Sequence, residues 1–305
     1  LIDVSVEDES PIRARDIANA LSDEFVRLAR ELETPSPGAP PDARVVVEQR
    51  ASIPEKPIVP KKKRDIAVGI ILGISVGMGF AVLRDQFDNT LKSSQAIEET
   101  VGLGVVGNIP VDKALRDRHT VAFGTSHSVS AEAFRKLRTN LQFVAVDSPP
   151  RVIVVTSASP AEGKTTTAVN LALSLAEADH SVVIVDGDMR RPTLHSYLDL
   201  VGQVGFSSVL GGTVRLEEAL QTTKFPCLTA LTAGTTPPNP SELLGSLASK
   251  RVLAELRNQF DYVIIDSSPL LAVTDSALLA ASTDGTLLVV RFGKTKNEQL
   301  VHSVK

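Results

Sequence analysis

Apolar positions fall into different regimes along the chain. From Ile12 to Leu32 they recur at Ile17, Leu21, Phe25, Leu28 and Leu32, a spacing that predicts one amphipathic helix. Leu1 to Val6 alternates weakly, like a strand, and Arg44 to Gln49 reads as a second short strand. Between them Thr34 to Asp42 is proline-rich and reads as a linker, while Pro54, Pro57 and Pro60 predict a stiff, extended approach to a long apolar stretch. That stretch, Ile66 to Leu83, runs 18 residues without a charge. As a helix it would be about 27 Å long, just short of the roughly 30 Å core of a bilayer, so it predicts a single membrane span. Within it Gly69, Gly73 and Gly77 line one face and would let a second helix approach closely. The alternative, a buried soluble helix, would be weakened by those glycines and Gly79.

Beyond the span, Ser93 to Thr100 is helical in pattern and Val101 to Ile109 strand-like, followed by a polar connector to about Ser130. From Arg151 strand and helix patterns alternate. Val152–Thr156, Ser181–Val185 and Tyr262–Ile265 are apolar, β-branched runs, and an alanine- and leucine-rich helix extends to about Ala178. Buried strands alternating with helices predict an α/β fold, a parallel sheet with helices on both faces. The span and a small α+β fragment precede it.

Composition narrows the function. At 305 residues the chain has room for about two domains, and 43% hydrophobic with 22% charged residues is ordinary globular usage, which excludes a disordered or collagenous protein. Lys and Arg number 32 against 36 Asp and Glu, a net charge of −4, which argues against nucleic acid as a partner. Cys227 is the single cysteine, so a disulfide framework and a cysteine zinc site are excluded and any metal must sit on oxygen ligands. Its place at the start of a strand predicts a core thiol. The chain opens on Leu1 without a signal-peptide pattern and reads as a fragment.

The chemistry is concentrated after Val152–Thr156. Ser159-Pro160-Ala161-Glu162-Gly163-Lys164-Thr165-Thr166 lies between that strand and the next helix, the place of a phosphate loop. Gly163 lets the backbone approach phosphate oxygens, and N–H groups at the helix start hold them. Lys164 neutralises charge, and Thr165 offers a hydroxyl to magnesium. The strict motif has glycine where this chain has Ala158; the strand-before, helix-after context restores the match. Two further strands deliver carboxylates at their C-terminal ends, Asp186-Gly187-Asp188-Met189-Arg190 and Asp266-Ser267-Ser268-Pro269, where ligands bind in open α/β sheets.

These three segments resemble the Walker A, A′ and B motifs of bacterial tyrosine kinases, the autokinases of capsular and exopolysaccharide assembly. Glu132, Arg135 and Arg138 match that family's E-x-x-R-x-x-R helix, and Arg191-Pro192-Thr193-Leu194-His195 and Asn239-Pro240-Ser241-Glu242-Leu243 fall where such kinases carry similar segments. The residues before the span, with Asp88-Asn89-Thr90 after it, resemble the end of a Wzz-type chain-length determinant.

The resemblance implies an organisation of four parts. Residues 1–60 would be the end of an extracytoplasmic Wzz-like domain, 61–84 the span with its basic flank, 85–130 a juxtamembrane segment and linker, and 131–305 a P-loop kinase domain cut short at its C-terminus. It implies ATP and Mg2+ as cofactors, with Ser159 to Thr166 binding ATP, Thr165, Asp186 and Asp266 holding the metal, and Lys164, Asp186, Asp188 and Arg190 catalytic. Asp186 would accept the tyrosine proton, Asp188 would support it or the metal, and Arg190 would orient the acids. Glu132, Arg135 and Arg138 would mediate ring-like self-association. The implied partners are further copies of the chain, the polysaccharide polymerase and export machinery, a cognate phosphatase and the bacterial plasma membrane.

The four basic residues Lys61 to Arg64 before the span, against Arg84 and Lys92 after it, favour a cytoplasmic N-terminal side by the positive-inside rule. The nucleotide site demands the opposite, since ATP is a cytoplasmic substrate, and the basic run would then meet headgroups from outside. Only Tyr197 and Tyr262 are present, so the tyrosine-rich acceptor tail and a last strand near the adenine are expected to lie past Lys305, and this chain alone should autophosphorylate little. His195 reads as a packing or capping residue. Two rivals remain: a partition- or septum-type ATPase without kinase activity, whose signature lysine is Ser159 here, and a non-catalytic chain-length scaffold.

Overall fold

The apolar runs become the central sheet of the computed structural model, which describes residues 2–32, 45–59, 61–112, 115, 119–123, 128–145 and 148–304. The chain divides into two compact units, Leu1–Phe87 and Asp88–Lys305.

In the first unit the helical spacing forms α1 (Pro11–Leu32). Ala14 and Ala18 are buried, while Ile17, Leu21, Phe25, Leu28 and Leu32 are exposed. The Asn19 amide exchanges two hydrogen bonds with the Ala51 backbone, at 3.1 and 2.9 Å, and Arg50 pairs with Asp23 at 2.9 Å. Residues 2–6 and 45–49 form no strand, so the described part of this fragment is helical and irregular rather than α+β. Weak alternation without a neighbouring strand leaves backbone groups to water, which does not sustain a strand. The proline-rich stretch Thr34 to Asp42 lies outside the described residues. The predicted span forms α2 (Lys62–Gln86), which leaves its apolar window wholly uncovered by protein. Among the described residues it is the one helix long and apolar enough to cross a membrane.

In the second unit α3 (Ser94–Val101) is capped by the Ser93 hydroxyl and ended by Gly102 in the left-handed region, and α4 (Val129–Phe143) is capped by Ser128. The strand-like Val101 to Ile109 forms no strand. Two of its backbone groups pair with side chains: Glu98 accepts from Val105 N–H at 3.0 Å and Asn140 donates to the Val106 carbonyl at 2.7 Å. Leu91 and Val121, in the segment read as juxtamembrane and linker, are buried in this unit.

The sheet comprises β1 (Val152–Ser157), β2 (Val182–Asp186), β3 (Gln221–Thr222), β4 (Leu228–Leu231), β5 (Tyr262–Asp266) and β6 (Gly285–Val289), in the order β3-β4-β2-β5-β1-β6. All pairings are parallel except β3 on β4. Alternate residues serve two cores. Ile153, Val155, Val182 and Ile184 face Phe134 and Leu137 of α4 and the buried helix α5 (Lys164–Glu177). Val152, Val154, Val183 and Val185 face Phe206 of α7 (Phe206–Leu210) and Leu253 and Leu256 of α10 (Leu247–Gln259). Short helices α6 (Leu194–Leu198), α8 (Leu216–Ala219), α9 (Pro240–Leu244), α11 (Asp275–Ala280) and α12 (Asn297–Val304) complete the layers.

Cys227 is exposed, not a core thiol: it sits in the turn before β4 with φ +61°, and its carbonyl accepts from Val182 N–H. The strand pattern begins one residue later than the sequence suggested. Tyr262 is half-buried rather than buried. His195 packs as expected, against Gly202, where a Cβ would lie 3.0 Å from its ring.

Candidate functional site

Register brings the chemistry together. β5 lies between β1 and β2, with Val155 opposite Asp266 and Asp186 opposite Asp266, so the loop after β1 and both carboxylate-bearing strand ends meet at one edge. Gly163, with φ +102° and open space where a Cβ would stand, joins the loop to α5; there a side chain would be both strained and in the path of an approaching anion. Lys164, Thr165 and Thr166 form the first turn of α5. A cavity of about 1370 Å³ is lined by Pro160 to Thr166, Asp188 and Arg190.

Lys164 Nζ lies 2.9 Å from Asp188 Oδ2 and 3.9 Å from Asp266 Oδ1. Burial works against its charge, but Asp266 and Asp188 overcome this and raise its pKa above the ordinary lysine value. Thr165 donates to Asp266 Oδ2 at 2.6 Å. Asp266 is wholly buried, and burial lifts it to about 6 against the pull of Lys164 and Thr165. Asp186, directly behind Asp188, accepts from the backbone N–H groups of Asp188, Thr193 and Leu194 at 3.1–3.2 Å. Burial first, then the Asp266 charge, pushes it up to about 8.

Asp266 Oδ1 is buried and, among the described residues, has no hydrogen-bond partner. The Asp188 and Asp266 carboxylates within 4 Å of one ammonium, with the Thr165 hydroxyl beside them, offer hard oxygen donors. This set fits a magnesium ion.

An acid whose folded pKa exceeds its unfolded value favours the folded state while protonated, so that stability is present at low pH and lost as pH rises through the folded value. For Asp186 the window runs from about 4 to about 8. In chelator, the full chain should therefore melt at lower temperature at pH 8 than at pH 5.5, and Asp186→Asn should flatten this difference. A wild-type profile as flat as the variant's in thermal melts would refute it.

Other predicted residues make longer-range contacts. Glu162 turns inward: its carboxylate accepts from Ser159 N–H at 3.0 Å and from the Thr295 hydroxyl, while Arg291 holds the Ala161 carbonyl at 2.9 Å and Gln299 reaches Ser159 Oγ at 3.2 Å. Its side chain shapes the loop. Arg190 does not bridge the Walker-like acids but pairs with Asp275 at 2.8 Å. Neither Asp275 nor Thr295 belongs to a short motif, and no local signal marked them.

Arg135 and Arg138 are held within the chain. Arg135 bonds Glu177 of α5 at 2.6 and 3.0 Å and the Phe123 carbonyl at 3.0 Å; Arg138 donates to the Ser174 carbonyl and lies 3.7 Å from Glu177. Glu132 is exposed, 3.7 Å from Arg135. Arg135→Glu would set two carboxylates against each other in this partly buried contact, and is expected to destabilise the chain by about 1–3 kcal/mol, read by chemical denaturation.

A family model described as an AAA domain matches residues 151–298. The chain is 41% identical over 182 residues to the tyrosine-protein kinase YwqD of Bacillus subtilis, covering 60% of this chain and 77% of that protein. It is 34% identical over 257 residues to the tyrosine-protein kinase ptk of Acinetobacter johnsonii, covering 81% of this chain but 35% of that protein's length. Among solved structures, the kinase domain of Escherichia coli tyrosine kinase ETK superposes with a TM-score of 0.66 at 30% identity, over 70% of this chain and 88% of that one.

Proposed function

The chain belongs to the bacterial tyrosine-protein kinase family, and from this premise we propose that it is a membrane-anchored kinase that binds ATP with Mg2+ and transfers the γ-phosphate to tyrosine hydroxyls. The observation that carries the reading is the convergence of Lys164, Thr165, Asp186, Asp188 and Asp266 where β2 and β5 end beside the phosphate loop, with a buried carboxylate oxygen that has no hydrogen bond among the described residues.

In this reading the loop amides and Lys164 hold the β- and γ-phosphates, and Thr165 and Asp266, with Asp186, hold the metal. Magnesium, when bound, supplies positive charge to phosphate oxygens whose charge shifts during transfer. The tyrosine oxygen bonds to the γ-phosphorus as the bond to the β–γ bridging oxygen breaks, and ADP leaves. The tyrosine proton passes to Asp186, whose pKa near neutrality suits a base that must both accept and release a proton. Asp188 keeps Lys164 directed at the cavity. The test is transfer from ATP to a Glu/Tyr copolymer by the full chain in detergent. Hydrolysis without phosphotyrosine would establish the ATPase reading instead, against which Ser159 stands in place of a signature lysine.

The wider setting is proposed on the same premise. Residues 1–60 face outward, α2 crosses the plasma membrane, and the second unit works in the cytoplasm on capsular or exopolysaccharide chain length and export, opposed by a cognate phosphatase. Self-association into rings would engage α4. Because Arg135 and Arg138 are held by Glu177, Glu132, exposed and only 3.7 Å from Arg135, is the member of the three most open to a neighbour. Glu132→Lys is expected to lower the oligomer mass in light scattering while leaving the melting temperature within about 1 °C. Unchanged mass in an oligomerising wild type would remove α4 from the assembly.

A further inference from the structure

Asp188, which lines the cavity, stands in a turn that is held from outside the phosphate loop and the acid-bearing strand ends. β2 and β5 are locked where they end: Gly187 N–H donates to the Asp266 carbonyl at 2.7 Å, and a Cβ on Gly187 would lie 3.0 Å from that oxygen. Beyond this lock the chain leaves the sheet through Asp188, Met189 and Arg190. Arg191 N–H and Thr193 N–H return to Asp188 and Asp186, so the backbone bonds of this turn are local.

Arg190 reaches out of the turn. Its Nε lies 2.8 Å from Asp275 Oδ2, its Nη2 lies 3.3 Å from Asp275 Oδ1 and 3.0 Å from Ser241 Oγ, and that hydroxyl donates to Asp275 Oδ1 at 2.6 Å. Asp275 is wholly buried at the start of α11, and Ser241 lies in the first turn of α9, which packs against α11. A planar guanidinium gripped at two edges of a desolvated carboxylate has one orientation, where a lysine would have many. Asp275 also ends the loop that begins at Asp266, and that loop is closed on itself by the Ser276 hydroxyl on the Ser268 carbonyl.

We propose that Asp275 and Ser241 are positioning residues that, through Arg190, fix the Asp186–Asp188 turn against the loop carrying Asp266. The clamp sets where Asp188 meets Lys164, and therefore where the lysine is presented to phosphate. Burial acts against the Asp275 charge, but Arg190 and Ser241 outweigh it and hold this carboxyl below its ordinary value, so it stays ionised under the arginine. The inference rests on the kinase reading for its effect on rate, but not for its effect on the turn.

Asp275→Asn keeps the volume and the bond to Ser241 and removes the charge that orients the fork. In the full chain in detergent, with ATP and a Glu/Tyr copolymer, it is expected to lower kcat about 10- to 100-fold while KM for ATP changes less than about threefold. Arg190→Lys, which retains charge but not the fork, should reproduce this, and the two together should cost little more than either alone. Amide hydrogen exchange supplies the second arm: residues 188–192 should exchange faster in both variants, while β1 and β5 keep their protection. If Asp275→Asn does not fold, Arg190→Lys and Ser241→Ala carry the same comparison. Unchanged exchange in the turn, unchanged kcat, or KM rising in step with the loss of rate would each overturn the clamp. Should the wild type transfer nothing, the kinase reading falls, and exchange alone decides the clamp.

Discussion

Lys164→Met in the full chain is expected to reduce phosphoryl transfer from ATP by a factor on the order of 10³ while the protein stays folded. The lysine is the cation at the phosphate loop, 2.9 Å from Asp188 and 3.9 Å from Asp266. Removing a preorganised charge from a site where negative charge redistributes costs about 10²–10³ in rate, and here the loss of phosphate binding adds to it. The fold should survive because Lys164 begins α5 rather than sitting in its packed interior, and methionine is a good helix former of similar length. Without the ammonium, the surrounding carboxylates would take up protons more readily instead of remaining as uncompensated buried charges. The measurement is phosphotyrosine on an added copolymer, since Tyr197 and Tyr262 are poor candidates for acceptors. Wild-type transfer by this variant, with a superimposable circular dichroism spectrum, would remove Lys164 from the site.

Asp186→Asn is expected to slow transfer by about 10²- to 10⁴-fold while nucleotide affinity changes only a few-fold. A base acts in the transition state, whereas ground-state affinity comes from the loop amides and Lys164. The amide keeps the shape of the carboxyl, and its one oxygen can replace Oδ2 and accept from the Thr193 and Leu194 N–H groups, at the loss of the single Asp188 N–H bond to Oδ1. Asp186 is fully buried behind Asp188. Alignments of catalytic groups often tighten only when the substrates are bound, so the decisive comparison is kinetic. Asp188→Asn, which disturbs the contact to Lys164, should weaken nucleotide binding as well as rate. Parallel loss of affinity and rate in Asp186→Asn would make it chiefly a metal ligand.

The phosphate loop and the two acid-bearing strand ends were legible because each is a local pattern. Apolar β-branched runs such as Val182–Val185 and Val263–Ile265 have to be buried on both faces of a parallel sheet, and the first polar residue after each emerges at its C-terminal edge. Gly163 followed by a helix-forming run needs no distant partner to mark the loop. The charge-free stretch within α2 is legible for the same reason, since its length and composition are properties of one segment. Weak alternation in residues 2–6 and Val101 to Ile109 misled because a strand exists only with a partner, and alternation says nothing about whether one is adjacent.

The sequence by itself determined the phosphate loop, the apolar strands that deliver Asp186 and Asp266, and the apolar helix α2. Only the tertiary structure decided which group each charged side chain meets. Arg190 pairs with Asp275 across 85 positions, Arg135 with Glu177 across 42, and Glu162 with Thr295 across 133. The strand order β2-β5-β1-β6 brings those loops and helices within reach of one another. A charged side chain is long and can satisfy itself with any nearby opposite charge, so its identity specifies the kind of partner without specifying the residue. Packing of the two apolar cores against the sheet selects the neighbours, and the polar contacts form between groups that this packing has already brought together.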